Sequence, residues 1–273
     1  MRIYFSILLF AVLLSNCNTP PPPPNIILIM ADDLGYETIG ANGGTSYQTP
    51  VLDAVADNGI RFNHCYAQPL CTPSRVKIMT GISNIRNYTD FGILDESQTT
   101  FGHLFREAGY ATAVVGKWQL GKTPDGPEKA GFDQHCLWQV IPGATDSTGR
   151  DTRFSQPLLQ IDGQLKRFKK SQYAPEVATQ YALDFMEKQT GQNKPFLLYY
   201  PMILTHCPFS PTPNSPEWTT DDTTVMRYKG KAQYFEDMVA VMDSLIGVIQ
   251  QKLEELNIEN NTLLIFTGDN GTD

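Results

Sequence analysis

The chain has 273 residues, of which 41% are hydrophobic and 18% charged, so disordered and fibrous classes are excluded and a globular protein of one or two domains is expected. Its 21 lysines and arginines are outnumbered by 29 aspartates and glutamates, which gives a formal net charge of −8. This excess of acid argues against nucleic acid as a partner, because proteins bind phosphate backbones with clustered cations.

The N-terminal residues 1–17 are typical of a secretory signal peptide. Arg2 precedes an almost wholly apolar segment, residues 3–14, which is too short for a comfortable transmembrane helix. The following Leu-Ser-Asn-Cys resembles a bacterial lipobox, in which Cys17 carries the lipid and becomes the mature N-terminus. A simple cleaved signal peptide with an incidental Cys17 is the alternative. We therefore expect an exported bacterial protein, periplasmic or at the cell surface, that is attached to the membrane through Cys17.

A proline-rich spacer, residues 18–24, separates this leader from the body of the chain. Residues 25–30 form a continuous apolar run and predict a buried strand, and further strands are predicted at 110–115, 196–200 and 262–267. Helices are predicted from Thr49-Pro50 to Gly59 and at 100–108, 174–188 and 231–256. Residues 121–172 have a weak pattern and are interpreted as loops with a small hairpin. Alternating strands and helices indicate an α/β fold, with a mostly parallel central sheet flanked by helices on both faces.

Acidic side chains follow two of the predicted strands. Asp32 and Asp33 come after the first strand, and Asp269 and Asn270 come after the last. Ligands of such sheets gather at the carboxyl ends of the strands, and three carboxylates with an amide oxygen suit Ca²⁺ or Mg²⁺ better than zinc. Ordinary turn chemistry is the alternative for each pair taken alone.

Cys71 stands immediately before a predicted helix. Thr72 can cap a helix whose first residue is Pro73, so Cys71 would lie just before a helix N-terminus, where backbone N–H groups favour an anion. A buried, inert cysteine is the alternative for this segment by itself.

Four segments, in this order, resemble the signatures of the type I sulfatases of the alkaline-phosphatase-like superfamily. The resemblance extends from Asn25 to the last residue, and the element Cys-x-Pro-Ser-Arg with its Thr-Gly tail is highly specific. The segments are Asp32-Asp33, the run from Cys71 to Gly81, Gly116-Lys117-Trp118-Gln119-Leu120-Gly121, and Asp269-Asn270-Gly271.

The resemblance implies a mechanism. Cys71 would be oxidised by a formylglycine-generating maturation enzyme, and the hydrated aldehyde would attack sulfur. Arg75 and Lys117 would balance negative charge, and His206 would act as general acid at the leaving oxygen. The four residues Asp32, Asp33, Asp269 and Asn270 would hold the divalent metal.

The chain departs from the family pattern in two respects. Gln119 stands where the family has histidine, and glutamine cannot accept a proton near neutral pH. The chain also stops right after the metal motif, so we expect residues 25–273 to be the N-terminal part of a catalytic domain whose C-terminal subdomain is absent or truncated.

The resemblance predicts hydrolysis of sulfate esters on a sulfated small molecule or glycan. A phosphoester or phosphonate hydrolase of the same superfamily is one alternative, since such a metal site accepts either tetrahedral anion. An inactive, truncated lipoprotein that binds sulfated ligands is another, and Gln119 favours it. The intact Cys-x-Pro-Ser-Arg element favours the enzyme.

Overall fold

Seven strands form one sheet in the computed structural model, which describes residues 21–141, 143, 152–218 and 230–272. The spatial order is β5-β4-β3-β2-β6-β1-β7. In chain order the strands are β1 (Asn25–Ala31), β2 (Ala111–Lys117), β3 (Gln134–Trp138), β4 (Leu158–Ile161), β5 (Gln164–Arg167), β6 (Phe196–Pro201) and β7 (Thr262–Gly268).

Seven α-helices accompany these strands in the described ranges. They are α1 (Pro50–Asp57), α2 (Cys71–Thr80), α3 (Asn84–Asn87), α4 (Phe101–Glu107), α5 (Gly126–Lys129), α6 (Ala174–Gly191) and α7 (Phe235–Glu255). The longest helix, α7, buries one stripe that includes Met238, Met242 and Ile249, as the three- and four-residue spacing of its apolar residues predicts.

Both faces of the sheet are covered by apolar side chains. Ile27 and Ile29 of β1 belong to a core shared with α6 and α7. Leu28 and Met30 point to the opposite core, which includes residues of α2. Because successive strand residues face opposite sides, a strand covered on both faces is apolar throughout. This is why the β1 sequence is a continuous apolar run.

The expected α/β fold is confirmed, and the central strands β2, β6, β1 and β7 are parallel to their neighbours. The interpretation of residues 121–172 was only partly right. The small hairpin is present as β4 and β5, which pair antiparallel at one edge of the sheet. Strand β3, parallel to β2, and the short helix α5 were missed. Sequence pattern did not reveal β3 because Gln134 and His135 interrupt its apolar character, and because the burial of β3 depends on partners distant in sequence.

The predicted signal peptide, its lipobox Cys17 and the first part of the spacer lie outside the described residues. Within the described ranges, no helix combines the length and the apolar character that crossing a membrane requires.

Candidate active site

The two acid-bearing segments lie side by side at the carboxyl edge of the sheet. Strand β1 pairs in parallel with β7, with Ala31 opposite Gly268, so Asp32 and Asp269 follow equivalent positions. The backbone N–H of Asp269 donates to the carbonyl of Ala31 over 3.0 Å and extends the ladder to the acids themselves. Parallel pairing of the first and last strands therefore brings together residues more than 230 positions apart.

Asp33 links the two segments through its backbone and its side chain. Its N–H donates to Oδ1 of Asp269 over 3.1 Å, and Nδ2 of Asn270 donates to its Oδ1 over 2.6 Å. Asp33 has a φ of 56°, in the left-handed region that residues other than glycine seldom adopt. Strained backbone of this kind is found preferentially at functional sites.

The segment after β6 brings His206 to the same edge. The N–H of Asp32 donates to the carbonyl of Leu204 over 2.9 Å, and the N–H of Thr205 donates back to the carbonyl of Asp32 over 2.7 Å. Two backbone bonds thus fix the chain just before His206, whose Nε2 lies 3.4 Å from Oδ2 of Asp33.

Lys117 ends β2 and supplies a buried positive charge. Its Nζ lies 2.8 and 2.7 Å from the two carboxylate oxygens of Asp32, and its side chain is 1% exposed. Nη2 of Arg75, in α2, donates to the carbonyl of Lys117 over 2.6 Å. Gly116 has a φ of 110°, and a Cβ there would stand 2.1 Å from the carbonyl oxygen of Pro201, so a side chain would force β2 away from β6.

The prediction that Thr72 caps the helix is wrong. Helix α2 begins at Cys71 itself, with Leu70 in the N-cap position and Pro73 inside the first turn. The hydroxyl of Thr72 accepts a hydrogen bond from the N–H of Gly92 over 3.1 Å and holds a neighbouring loop against the helix. Cys71 therefore belongs to the first turn and does not precede it.

The thiol of Cys71 faces the acid cluster. Its Sγ and one carboxylate oxygen each of Asp32 and Asp269 all lie within 4.8 Å of one another. Burial raises the pKa of this thiol, although the positive charge of Lys117 acts in the opposite direction. A protonated thiol is a weak nucleophile, because the reactive form of cysteine is the thiolate.

Three buried carboxylates in one place cannot all ionise without compensating charge. Burial and then the charge of Asp32 raise the pKa of both Asp33 and Asp269. Burial also opposes ionisation of Asp32. The pKa of Asp32 is nevertheless held below its usual value, mainly by the positive charge of Lys117 and the hydrogen bonds that Lys117 donates, with smaller contributions from His206 and Arg75. One ammonium group therefore stabilises one carboxylate, and the other two need a further cation.

The residues fit a divalent metal of the hard type. Oδ1 of Asn270 is buried and, among the described residues, has no hydrogen-bond partner, although Nδ2 of the same amide donates to Asp33. An unsatisfied buried oxygen beside three carboxylates is a ready ligand for Ca²⁺ or Mg²⁺, which bind oxygen donors. The structure thus brings together the four side chains that the sequence resemblance proposes as metal ligands.

Gln119 follows β2 by two residues and has a φ of 46°. Its backbone N–H donates to the carbonyl of Gln139 over 2.9 Å, and its side-chain Nε2 donates to Oε1 of the same residue. The glutamine that departs from the family pattern is thus held by a second glutamine, which the sequence reasoning did not identify.

Arg153 is a second residue that the sequence reasoning missed. Its Nη1 lies 2.5 Å from Nδ1 of His206 and also donates to the carbonyl of Cys207. The guanidinium stacks over the ring of Trp138, 4.5 Å from its centroid. Burial lowers the pKa of His206. The negative charges of Asp32 and Asp33 raise this pKa, whereas the positive charges of Lys117 and Arg153 lower it further. Arg153 falls in the poorly patterned segment 121–172, so no local signal marked it.

Comparisons with known proteins, by sequence and by structure, all find sulfatases. The family model described as "Sulfatase" matches residues 24–273. N-acetylgalactosamine-6-sulfatase of Mus musculus is 33% identical over 90% of this chain and 50% of its own length, and arylsulfatase G of Mus musculus is 32% identical over 90% and 51%. The crystal structure of Ps i-CgsB is 28% identical, with a TM-score of 0.76 over 92% of this chain and 59% of that one. The chain spans about half the length of the curated relatives it matches.

Proposed function

The chain belongs to the sulfatase family, and from that premise we propose that it hydrolyses sulfate esters with a formylglycine made from Cys71 and a bound divalent metal. One observation carries the proposal: the Cys71 sulfur lies within 4.8 Å of carboxylate oxygens of Asp32 and Asp269. The nucleophile and the charge that would activate the sulfate therefore share one buried space, which also contains the ammonium group of Lys117.

Asp32, Asp33, Asp269 and Asn270 would hold the metal, Ca²⁺ or Mg²⁺. When bound, the ion supplies positive charge that polarises the sulfate and lowers the pKa of the nucleophile. The chain contributes the ligands and excludes water, since Asp32 and Asp269 are 2% and 1% exposed.

Maturation of Cys71 matters because the residue must first attack the sulfur of the substrate and then release the sulfate that it has taken up. A thiol or a simple alcohol that has taken up the sulfate has no internal means of expelling it. The hydrated aldehyde carries two hydroxyls on one carbon, so that one attacks sulfur and the other, by losing its proton, expels sulfate and restores the aldehyde. We propose that a separate maturation enzyme carries out the oxidation.

Two cations would bind the anionic groups. Arg75 is 1% exposed, and its Nε and Nη1 have no hydrogen-bond partner among the described residues, so both N–H groups can bind an oxygen of the hydrate or the sulfate. The ammonium group of Lys117 bonds the Asp32 carboxylate and would balance the charge of the sulfate oxygens.

His206 and Gln119 would serve the two halves of the reaction. His206, with Nε2 toward Asp33, would interact with the leaving oxygen of the substrate. Gln119 can hydrogen-bond the hydrate but cannot accept its proton, so water or another group must act as the base during sulfate release.

The location and the substrate class complete the proposal. Residues 1–17 would direct export, Cys17 would carry a lipid anchor, and the prolines of residues 18–24 would hold the catalytic domain away from the membrane. A sulfated small molecule or a sulfated glycan is the proposed substrate, in keeping with the names of the relatives.

Sulfate release is the direct test. The chain, expressed together with a maturation enzyme, should release sulfate from 4-nitrophenyl sulfate or from 6-sulfated N-acetylgalactosamine, and peptide mass spectrometry should show the aldehyde at position 71. Cys71→Ala should abolish turnover, whereas Cys65→Ala, at an exposed cysteine, should leave turnover unchanged. Faster hydrolysis of the matching phosphonate ester would contradict the sulfatase assignment. Binding of the sulfated sugar without any release would refute the catalytic role.

A further inference from the structure

The β4–β5 hairpin ends in a dense cluster of positive charge. Residues 166–170, Lys-Arg-Phe-Lys-Lys, place four cations in five positions, and we call this segment the basic run. All four cationic side chains are exposed, although the chain as a whole has a net charge of −8. Charges of one sign repel each other, so such a cluster does not help the fold. It does attract and concentrate anions at the surface.

Strand pairing places the basic run at the same edge of the sheet as the active site. Strand β4 is antiparallel to β3, and β5 is antiparallel to β4, so β5 also ends at the carboxyl edge. One cross-strand row at this edge consists of Lys117, Trp138, Leu159 and Lys166. Neighbouring strands are about 4.8 Å apart, so three spacings separate the Cα atoms of Lys117 and Lys166 by roughly 14 Å.

A further cation lies between the two ends of this row. The guanidinium of Arg153 stacks over the ring of Trp138, 4.5 Å from its centroid, and its Nη1 contacts His206 beside the acid cluster. Asp162, the acid nearest to the basic run in sequence, lies in the turn at the opposite end of the hairpin and accepts the N–H of His135. Positive charge therefore continues from the active site, past the end of β3, to the end of β5.

From this arrangement, and resting on the proposed function, we infer that the basic run binds a second sulfate of the same substrate molecule, so that the substrate is a glycan chain with sulfates on several sugars. One sulfate ester at Cys71 does not extend over roughly 14 Å, whereas an oligosaccharide does. Lysine and arginine side chains donate charge-assisted hydrogen bonds to such anions. The contact is remote from the reacting atoms and equal in the ground and transition states, so it lowers KM and leaves kcat unchanged.

Binding to the unmatured protein tests this inference without turnover. The probes are a chondroitin 6-sulfate hexasaccharide, N-acetylgalactosamine 6-sulfate, and a hyaluronan hexasaccharide, which has similar length and carboxylates but no sulfate. In calcium-containing buffer, titration calorimetry should show at least tenfold tighter binding of the sulfated hexasaccharide than of either other probe. The advantage should shrink as salt is added, because exposed charges are screened. Binding no tighter than that of the monosaccharide or of hyaluronan would overturn the inference.

Two double variants locate the contact. Lys166→Gln/Lys169→Gln should weaken binding of the sulfated hexasaccharide about five- to twentyfold, because one exposed ion pair contributes at most about fivefold. The matched control, Lys188→Gln/Lys194→Gln, makes the same charge change at the opposite edge, beside Gln134 at the start of β3 and just before β6. It should leave the affinity unchanged. Equal losses in the two double variants would reduce the effect to net charge and overturn the inference.

Kinetics of the matured enzyme separate this inference from the proposed function. Lys166→Gln/Lys169→Gln should raise KM for the sulfated hexasaccharide by the same factor, with kcat unchanged, and should not affect 4-nitrophenyl sulfate. Equal effects on both substrates would refute the second contact. Tight binding that depends on the basic run, without sulfate release from any substrate, would contradict the proposed function alone. Binding of the basic run to phosphatidylglycerol vesicles but not to the hexasaccharide would assign it to the membrane and overturn the inference.

Discussion

The buried pair of Lys117 and Asp32 leads to a prediction about stability in the presence and absence of metal. Their side chains are 1% and 3% exposed, and Nζ bonds both carboxylate oxygens. Replacing Lys117 by Met preserves length and apolar bulk but leaves the Asp32 charge buried without its ammonium partner. Breaking such a pair costs about 3–5 kcal/mol in the free energy of unfolding.

The size of the effect should depend on the bound cation. In EDTA, a loss of about 3–5 kcal/mol corresponds to a decrease in Tm of about 6–20 °C for a domain of this size. With saturating Ca²⁺ the decrease should be smaller, because the ion compensates Asp32, and Lys117→Met should gain more from Ca²⁺ than the unsubstituted protein gains. Thermal unfolding followed by circular dichroism in both buffers measures the difference.

Lys129→Met is the matched control. Lys129 pairs with Glu96 over 2.9 Å, but its side chain is 40% exposed, and exposed pairs contribute at most about 1 kcal/mol. The reasoning fails if the two variants lose the same stability. It also fails if Ca²⁺ leaves the cost of Lys117→Met unchanged.

Three further predictions concern the metal, the second half-reaction and a buried histidine. Asp269→Ala should lose the divalent ion in elemental analysis while the exposed control Asp57→Ala retains it; full metal content in the first variant would refute the site. The matured protein should show a burst of alcohol release followed by slow turnover, and Gln119→His should speed the slow phase; a linear rapid-mixing trace that the substitution does not change would show that another group acts as base. Burial lowers the pKa of His135 below 6.5, against the charge of Glu128. Stability should therefore be complete above about pH 6.5 and decrease toward pH 5, by at most about 1.4 kcal/mol per pH unit. His135→Gln should flatten that dependence in Tm measurements, and an unchanged slope would contradict it.

Local pattern predicted the interior of the sheet. Strands such as β1 and β6 are buried on both faces, so their sequences are apolar throughout and can be recognised without knowing their neighbours. Strand β3 could not be recognised in this way. Its His135 is 0% exposed, and its Nε2 accepts hydrogen bonds from Gly163 and from the side chain of Gln160, so the partners of this buried nitrogen come from the β4–β5 hairpin, more than twenty residues away in sequence.

In the candidate site, too, some contacts could be predicted from local sequence and others depend on residues distant in sequence. The acids at the ends of β1 and β7 could be expected to meet, because parallel strands place their carboxyl ends at one edge. Arg153 could not be expected beside His206, since its place depends on stacking over Trp138 and on a loop without periodicity. The start of α2 was misjudged because Thr72 has the chemistry of a capping residue but uses its hydroxyl to hold a loop.

The position of β1 has a consequence for how the protein is made. Its neighbours in the sheet are β6 and β7, so after residue 31 leaves the ribosome no partner strand exists until Phe196–Pro201 has been synthesised. At about 5–20 residues per second, this first strand waits on the order of 10–30 s with all its amide groups unpaired. Its sequence, Asn-Ile-Ile-Leu-Ile-Met-Ala, is the kind of segment that self-associates while it waits. Ribosome-bound or translocation chaperones should therefore be needed most for this early segment, long before the site it carries can form.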